Sequence, residues 1–117
     1  MNIHMTFDGG VLNLSFIPEA DEPLNEKAKM GNKSCRIVLG NDWSVRQVHP
    51  DLLALSIVLI VFPFCKNLIN LPFGVSKAFH DHFGALTKKH ILPVDYRLQP
   101  RPVPSAGKPA LAYSGGV

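Results

Sequence analysis

The sequence predicts an α+β fold, and three observations predict it. An alternating apolar run, residues 11–17, follows a second short run across Asp8-Gly9-Gly10, which is hairpin grammar. A thirteen-residue stretch, residues 52–64, is apolar at every position except Ser56. A later segment spaces Val75, Phe79, Phe83 and Leu86 as one stripe of a helix. At 117 residues the chain can bury one modest core.

In the first hairpin, Leu12, Leu14 and Phe16 fall on one face and call for a cover. Asp-Gly-Gly supplies the positive φ values a tight turn demands. Residues 18–32 are polar, acidic at first, and hold Pro23 and Gly31, so they read as a loop. Residues 34–39 read as a third strand, closed by Gly40-Asn41-Asp42, and residues 43–48 as a short extended piece.

A helix is expected to start at His49-Pro50-Asp51. Proline at the first helical position sacrifices no hydrogen bond, and Asp51 suits the helix dipole. The run that follows would be roughly 20 Å long as a helix, against about 30 Å for a bilayer core. Pro63 and Lys66-Asn67 cut it short. A buried core helix is therefore expected; a membrane anchor or a strand rich in β-branched residues is the competing reading. Residues 67–73 read as a short strand or linker ended by Gly74. Ser76 then caps an amphipathic helix of about three turns that stops near Thr87-Lys88-Lys89. Residues 91–98 read as extended.

The composition is ordinary for a soluble domain. Apolar residues make up 46% and the net charge is +3, which excludes general disorder and gives no concentrated basic block for nucleic acid. Lys88-Lys89-His90 with Arg97 and Arg101 could face RNA, or simply be a solvated helix end. Cys35 and Cys65 fit no metal or redox spacing and read as reduced, core-filling thiols. No leader pattern is present at residues 1–7, so the cytoplasm is expected. His80-Asp81-His82 invites a metal reading, but on a helix the two imidazoles diverge. His82 is expected beside the apolar face and His80 toward solvent. Trp43 is expected at the edge of the core.

Beyond residue 98 the composition changes. Pro100, Pro102, Pro104 and Pro109 mark a linker over residues 99–109. Ala110-Leu111-Ala112-Tyr113 then reads as a short buried strand that delivers Ser114-Gly115-Gly116-Val117. Glycines let a backbone approach an anion closely, and successive N–H groups can form a nest around phosphate oxygens.

This run resembles the start of the Ser-Gly-Gly-x-Asp-Ser loop of N-type ATP pyrophosphatases, the PP-loop family. Ser114, Gly115 and Gly116 match the first three positions, and Val117 occupies the variable one. The family's Asp and final Ser have no counterpart among these residues. Residues 49–75, with Leu-Pro-Phe-Gly-Val-Ser, are also similar to the upstream part of uncharacterised bacterial PP-loop proteins. The resemblance implies that residues 110–117 open a Rossmann-like nucleotide-binding domain, with residues 1–98 as an accessory α+β domain. It implies ATP and magnesium as ligands of a longer parent protein, with tRNA or a small molecule as substrate and the domain's own continuation as partner. Ser114 would donate its hydroxyl to a phosphate oxygen, and Gly115 and Gly116 their N–H groups. The 117 residues alone would carry no activity. The alternative is a non-enzymatic interaction module complete as it stands, or a membrane-associated protein anchored by residues 52–64.

Overall fold

The computed structural model describes residues 1–20, 30–102 and 105–106. They form a five-stranded mixed sheet with two helices on one face, an α+β architecture. The strands are β1 (Asn2–Asp8), β2 (Val11–Ile17), β3 (Ser34–Val38), β4 (Leu68–Val75) and β5 (His90–Val94), in the order β3-β2-β1-β4-β5. The helices are α1 (Pro50–Val61) and α2 (Lys77–Thr87).

β1 and β2 pair antiparallel from Asn2↔Ile17 to Asp8↔Val11, leaving Gly9-Gly10 as a two-residue turn. Their φ values are 52° and 76°, the positive pair that suits a turn between right-twisted strands. Gly10 is also hemmed in. A Cβ there would lie 3.0 Å from the carbonyl oxygens of both Leu39 and Gly40, and its own carbonyl accepts the Leu39 N–H at 2.7 Å. The hairpin turn and the exit of β3 are thus fastened together.

β4 and β5 join the same sheet, both parallel to their neighbours. The sequence reading left residues 67–73 between strand and linker and foresaw no shared sheet. β4 also continues through Gly74, which was expected to end it. It bulges against β5 between Asn70 and Val75, where five steps along β4 match two along β5. At that bulge a Cβ on Gly74 would sit 2.8 Å from Asp95 Cβ.

The core lies between the sheet and the helices. Ile3, Leu12, Leu14, Phe16, Ile69, Leu71 and Ile91 point from the sheet, and Leu53, Ala54, Ile57, Val58 and Val61 point down from α1. Each such large side chain removed from water contributes roughly 1.5–3 kcal/mol. The opposite sheet face carries exposed His4, Thr6, Asn13, Ser15 and Arg36. Met1 is fully buried, and its amino group donates to the Leu68 carbonyl at 3.0 Å.

α1 begins with Pro50 as expected, capped by His49 Nδ1, which accepts from the Asp51 N–H. It ends at Val61, and Phe62–Phe64 tighten into a 3-10 turn around Pro63. No helix among the described residues is long and apolar enough to cross a membrane. α2 is capped by Ser76, whose hydroxyl accepts from the Phe79 N–H, and Lys88 closes it with φ 60°. Two local expectations fail. Residues 43–48 are not extended: Val45–Gln47 form a 3-10 turn, because the Ser44 hydroxyl accepts the Arg46 N–H and curls the chain. Leu86 does not share the buried stripe; it is 85% exposed, in the last turn of α2. Phe79 and Phe83 do pack against the core, with centroids 6.2 Å apart.

Candidate functional site

The amino ends of both helices meet at the carboxyl end of β4, and a buried polar node ties them. Asp51, in the first turn of α1, accepts the Ser76 N–H at 2.7 Å and the Ser76 hydroxyl at 2.6 Å. Ser76 is fully buried and Asp51 nearly so. The two residues are 25 apart in sequence, so only the tertiary fold joins them. Sequence reasoning saw Asp51 as a dipole partner and Ser76 as a cap, and missed that each completes the other. The one available signal was a carboxylate entering an otherwise apolar helix, which demands a buried donor.

His49 extends the node outward. Its Nδ1 accepts the Asp51 N–H at 3.2 Å, and its Nε2 lies 3.0 Å from the Gln99 carbonyl. One neutral tautomer, with the proton on Nε2, satisfies both contacts. Gln99 opens the proline-rich segment, so this imidazole ties the start of that segment to the start of α1. Next to it a groove of about 410 Å³ runs between the helices, lined by Leu52, Leu55, Phe79, His82, Pro100 and Arg101, with Asp51 at its floor.

This end of the sheet resembles an anion site in topology only. The amino terminus of a helix favours negative charge. At the start of α2 the Asp51 carboxylate already accepts the Ser76 N–H and the Ser76 hydroxyl the Phe79 N–H, and at the start of α1 the Asp51 N–H is paired with His49 Nδ1. A phosphate brought there would meet a fixed like charge.

A second cleft, about 290 Å³, opens where β1 and β4 diverge after their pairing at Asn2↔Asn70. Met5 and Phe73 form its walls, and Val45, Val48, Pro50 and Leu53 close it, with Arg46 at the rim. A third, about 310 Å³, lies between α1 and the β2–β3 edge beside Trp43. Trp43 is half-buried against Phe7, ring centroids 5.3 Å apart at 63°, the core-edge position expected of it.

The remaining sequence candidates separate. The histidines exchange their expected places: His82 is exposed, while His80 is half-buried. His80 Nδ1 lies 2.7 Å from the Ile91 carbonyl, and its ring stacks on His90 at 5.8 Å. The helix turns that side toward the edge strand β5, so the imidazole with a carbonyl partner is the one covered. Among the described residues no group of three or more His, Cys, Asp or Glu could hold a metal ion. Cys65 is buried, with its thiol donating to the Val61 carbonyl at 3.2 Å; Cys35 is half-buried on β3.

The basic cluster is not brought together. Lys89 turns inward, donating to the carbonyls of Phe62 (2.8 Å) and Cys65 (2.5 Å) and lying 3.9 Å over the Phe62 ring. It caps the carboxyl end of α1 and its 3-10 extension. Arg97 stays in solvent beside Asp95. Ser114, Gly115 and Gly116, the expected phosphate-binding residues, and the expected strand at 110–113 lie outside the described residues. No protein-family model, curated protein or solved structure matches this chain.

Proposed function

We propose that the chain is the N-terminal part of an ATP-dependent adenylating protein, in which residues 1–98 form an accessory domain and Ser114, Gly115 and Gly116 open the ATP-binding loop. One observation carries the reading: a proline-rich segment, a short apolar run and Ser-Gly-Gly arrive in the order such a loop requires. The amino end of α2 adds to it: it is filled by Asp51, which leaves phosphate recognition to the glycine-bearing segment. In this reading a substrate oxygen attacks the α-phosphate of ATP, the bond to the β-phosphate oxygen breaks, and pyrophosphate departs. An amine, ammonia or sulfur nucleophile then displaces AMP from the adenylated substrate. The Ser114 hydroxyl and the Gly115 and Gly116 N–H groups hold charge on the departing pyrophosphate. The described residues offer no ligand set fit for magnesium, so no step is assigned to it. A cytoplasmic setting, where ATP is abundant, belongs to the same reading.

The test is ATP binding by the protein encoded in the whole reading frame. Gly115→Val puts a branched side chain where the phosphate must approach, and affinity should fall about tenfold or more. The frame after codon 117 should read Asp, then Ser or Thr. A stop codon at that position, or a variant that binds ATP as well as the parent, would sink the reading. An interaction module would then be favoured by the exposed leucines of α1.

A further inference from the structure

β1 and β4 lie side by side and parallel, yet they pair at one point only, Asn2↔Asn70. The cause is in the sequence. The Asn70 N–H donates to the Met1 carbonyl at 2.9 Å. The next N–H that β4 would turn toward β1 falls two residues on, at Pro72, which has none. The ladder stops there and the strands part. The chain leaves β1 toward β2 on one side, and leaves β4 through α2 toward β5 on the other. Parallel neighbours whose connections run opposite ways leave a crevice at their carboxyl ends, the place where open sheets hold ligands.

The cleft of about 290 Å³ occupies this split. Its size is at the lower end of small-molecule pockets, roughly 300–1,000 Å³. Met5 from β1 and Phe73 from β4 are its half-buried walls, and Leu53 of α1 is its buried end. Met5 is unbranched and adapts its shape to what it touches. The lining is apolar except for Arg46. That side chain is exposed at the rim, and among the described residues its guanidinium has no hydrogen-bond or ion-pair partner. Its backbone is held, because the Arg46 N–H donates to the Ser44 hydroxyl at 3.3 Å. An apolar slot thus carries one cation at its mouth. A planar guanidinium fork matches a carboxylate. One positive charge balances a monoanion, whereas a phosphate monoester carries nearly two negative charges.

We propose that the β1–β4 cleft binds an apolar monocarboxylate, an aliphatic or aryl-alkyl acid whose body lies between Met5 and Phe73 and whose carboxylate pairs with Arg46. The apolar end points toward Leu53 and the charged end stays in water at the rim, so no charge is buried without a partner. The site needs no residue after Phe73. It stands whether or not Ser114, Gly115 and Gly116 meet ATP.

Octanoate is the probe, titrated into the whole protein with isotope-labelled methionine methyl groups and followed by NMR. Met5 lines the cleft, and Met5→Leu assigns its signal. The Met5 methyl should shift saturably with octanoate. Arg46→Gln should weaken binding by about tenfold, the loss of one charge-assisted pair at an open rim. Its side chain is exposed, so the variant should fold as the parent does. Arg36→Gln, on the polar face of the sheet, should leave binding unchanged. Octylamine, the same chain with the opposite charge, should bind more weakly by about tenfold or more. An unmoved Met5 methyl overturns the proposal. Equal binding of octanoate and octylamine overturns it too, since the cleft would then be a plain apolar hole. An Arg46→Gln variant that binds octanoate as tightly as the parent does the same, because the carboxylate would lie elsewhere.

Discussion

Replacing Asp51 by alanine should cost more stability than any other single polar change among the described residues. Its carboxylate accepts two short hydrogen bonds, from the Ser76 N–H and the Ser76 hydroxyl, in a site largely shielded from solvent. Hydrogen bonds to a charged group are worth roughly 1.5–3 kcal/mol each, and donors left buried lose their full solvation. The expected loss is about 3–5 kcal/mol, a large part of the roughly 5–15 kcal/mol typical of a small domain. With a urea slope of about 1–3 kcal/mol per molar, the midpoint should drop by roughly 2 M or the domain should fail to fold. Asp51→Asn should fall in between: it keeps an acceptor for the Ser76 N–H but turns an amide toward the hydroxyl. Ser76→Ala loses the hydroxyl bond and the α2 cap together. The double variant should therefore lose less than the sum of Asp51→Ala and Ser76→Ala, by about 1–3 kcal/mol. Urea denaturation of the four proteins measures this. A loss below about 1 kcal/mol for Asp51→Ala would mean that water reaches Ser76 readily. The node would then not join the helices, and the reasoning from burial would be wrong.

Three further outcomes follow from the same structure. Gly74→Ala drives a Cβ to within 2.8 Å of Asp95 Cβ; it should cost about 1–3 kcal/mol by overpacking and speed hydrogen exchange at the Asp95 N–H, which donates to the Val75 carbonyl. Lys89→Met keeps the stem but removes the ammonium from the Phe62 and Cys65 carbonyls and the Phe62 ring. It should lower the urea midpoint by the equivalent of about 1–3 kcal/mol, whereas exposed Lys88→Met should change little. The hydrogen bond from Lys77 holds the Asp81 carboxyl below the usual aspartate range and raises the Lys77 ammonium. The stabilisation from Asp81 is thus present above its unfolded pKa and lost as pH falls through the lower folded value; that from Lys77 is lost only as pH rises through its own raised value. Lys77→Met should let the Asp81 titration, followed by carboxyl carbon NMR, move back up, and an unmoved midpoint would refute the pairing.

The elements legible in sequence were those whose signals are local. The Gly9-Gly10 turn, the Leu12-Leu14-Phe16 alternation, Pro50 at a helix start and Ser76 as a cap all act within a few residues. The parallel placement of β4 and β5 was not legible, because Ile69 and Ile91 reveal their pairing only once α2 has carried the chain back across the sheet. The exchange of His80 and His82 has the same origin. Helical spacing fixed their divergence, but the Ile91 carbonyl decided which imidazole is covered. Of the candidate site, the proline-rich exit and the Asp51 helix start were visible, while the Asp51–Ser76 node was not. Ser114, Gly115 and Gly116 remain a sequence-level assignment.

The apolar excess of α1 links these levels. A helix in a two-layer domain needs one apolar stripe, and Leu53, Ala54, Ile57, Val58 and Val61 already supply it. Leu52 and Leu55 are only part-covered and Leu59 is 71% exposed, so that outer row adds little to the core. These leucines leave α1 more apolar than a helix with one apolar neighbour requires. The sheet is that neighbour, while His49 Nε2 holds the Gln99 carbonyl at 3.0 Å beside the start of the helix. The run at residues 52–64 that could be read as a membrane anchor is α-helical only to Val61, and Phe62–Phe64 form a 3-10 turn around Pro63. That helix is too short to cross a bilayer core.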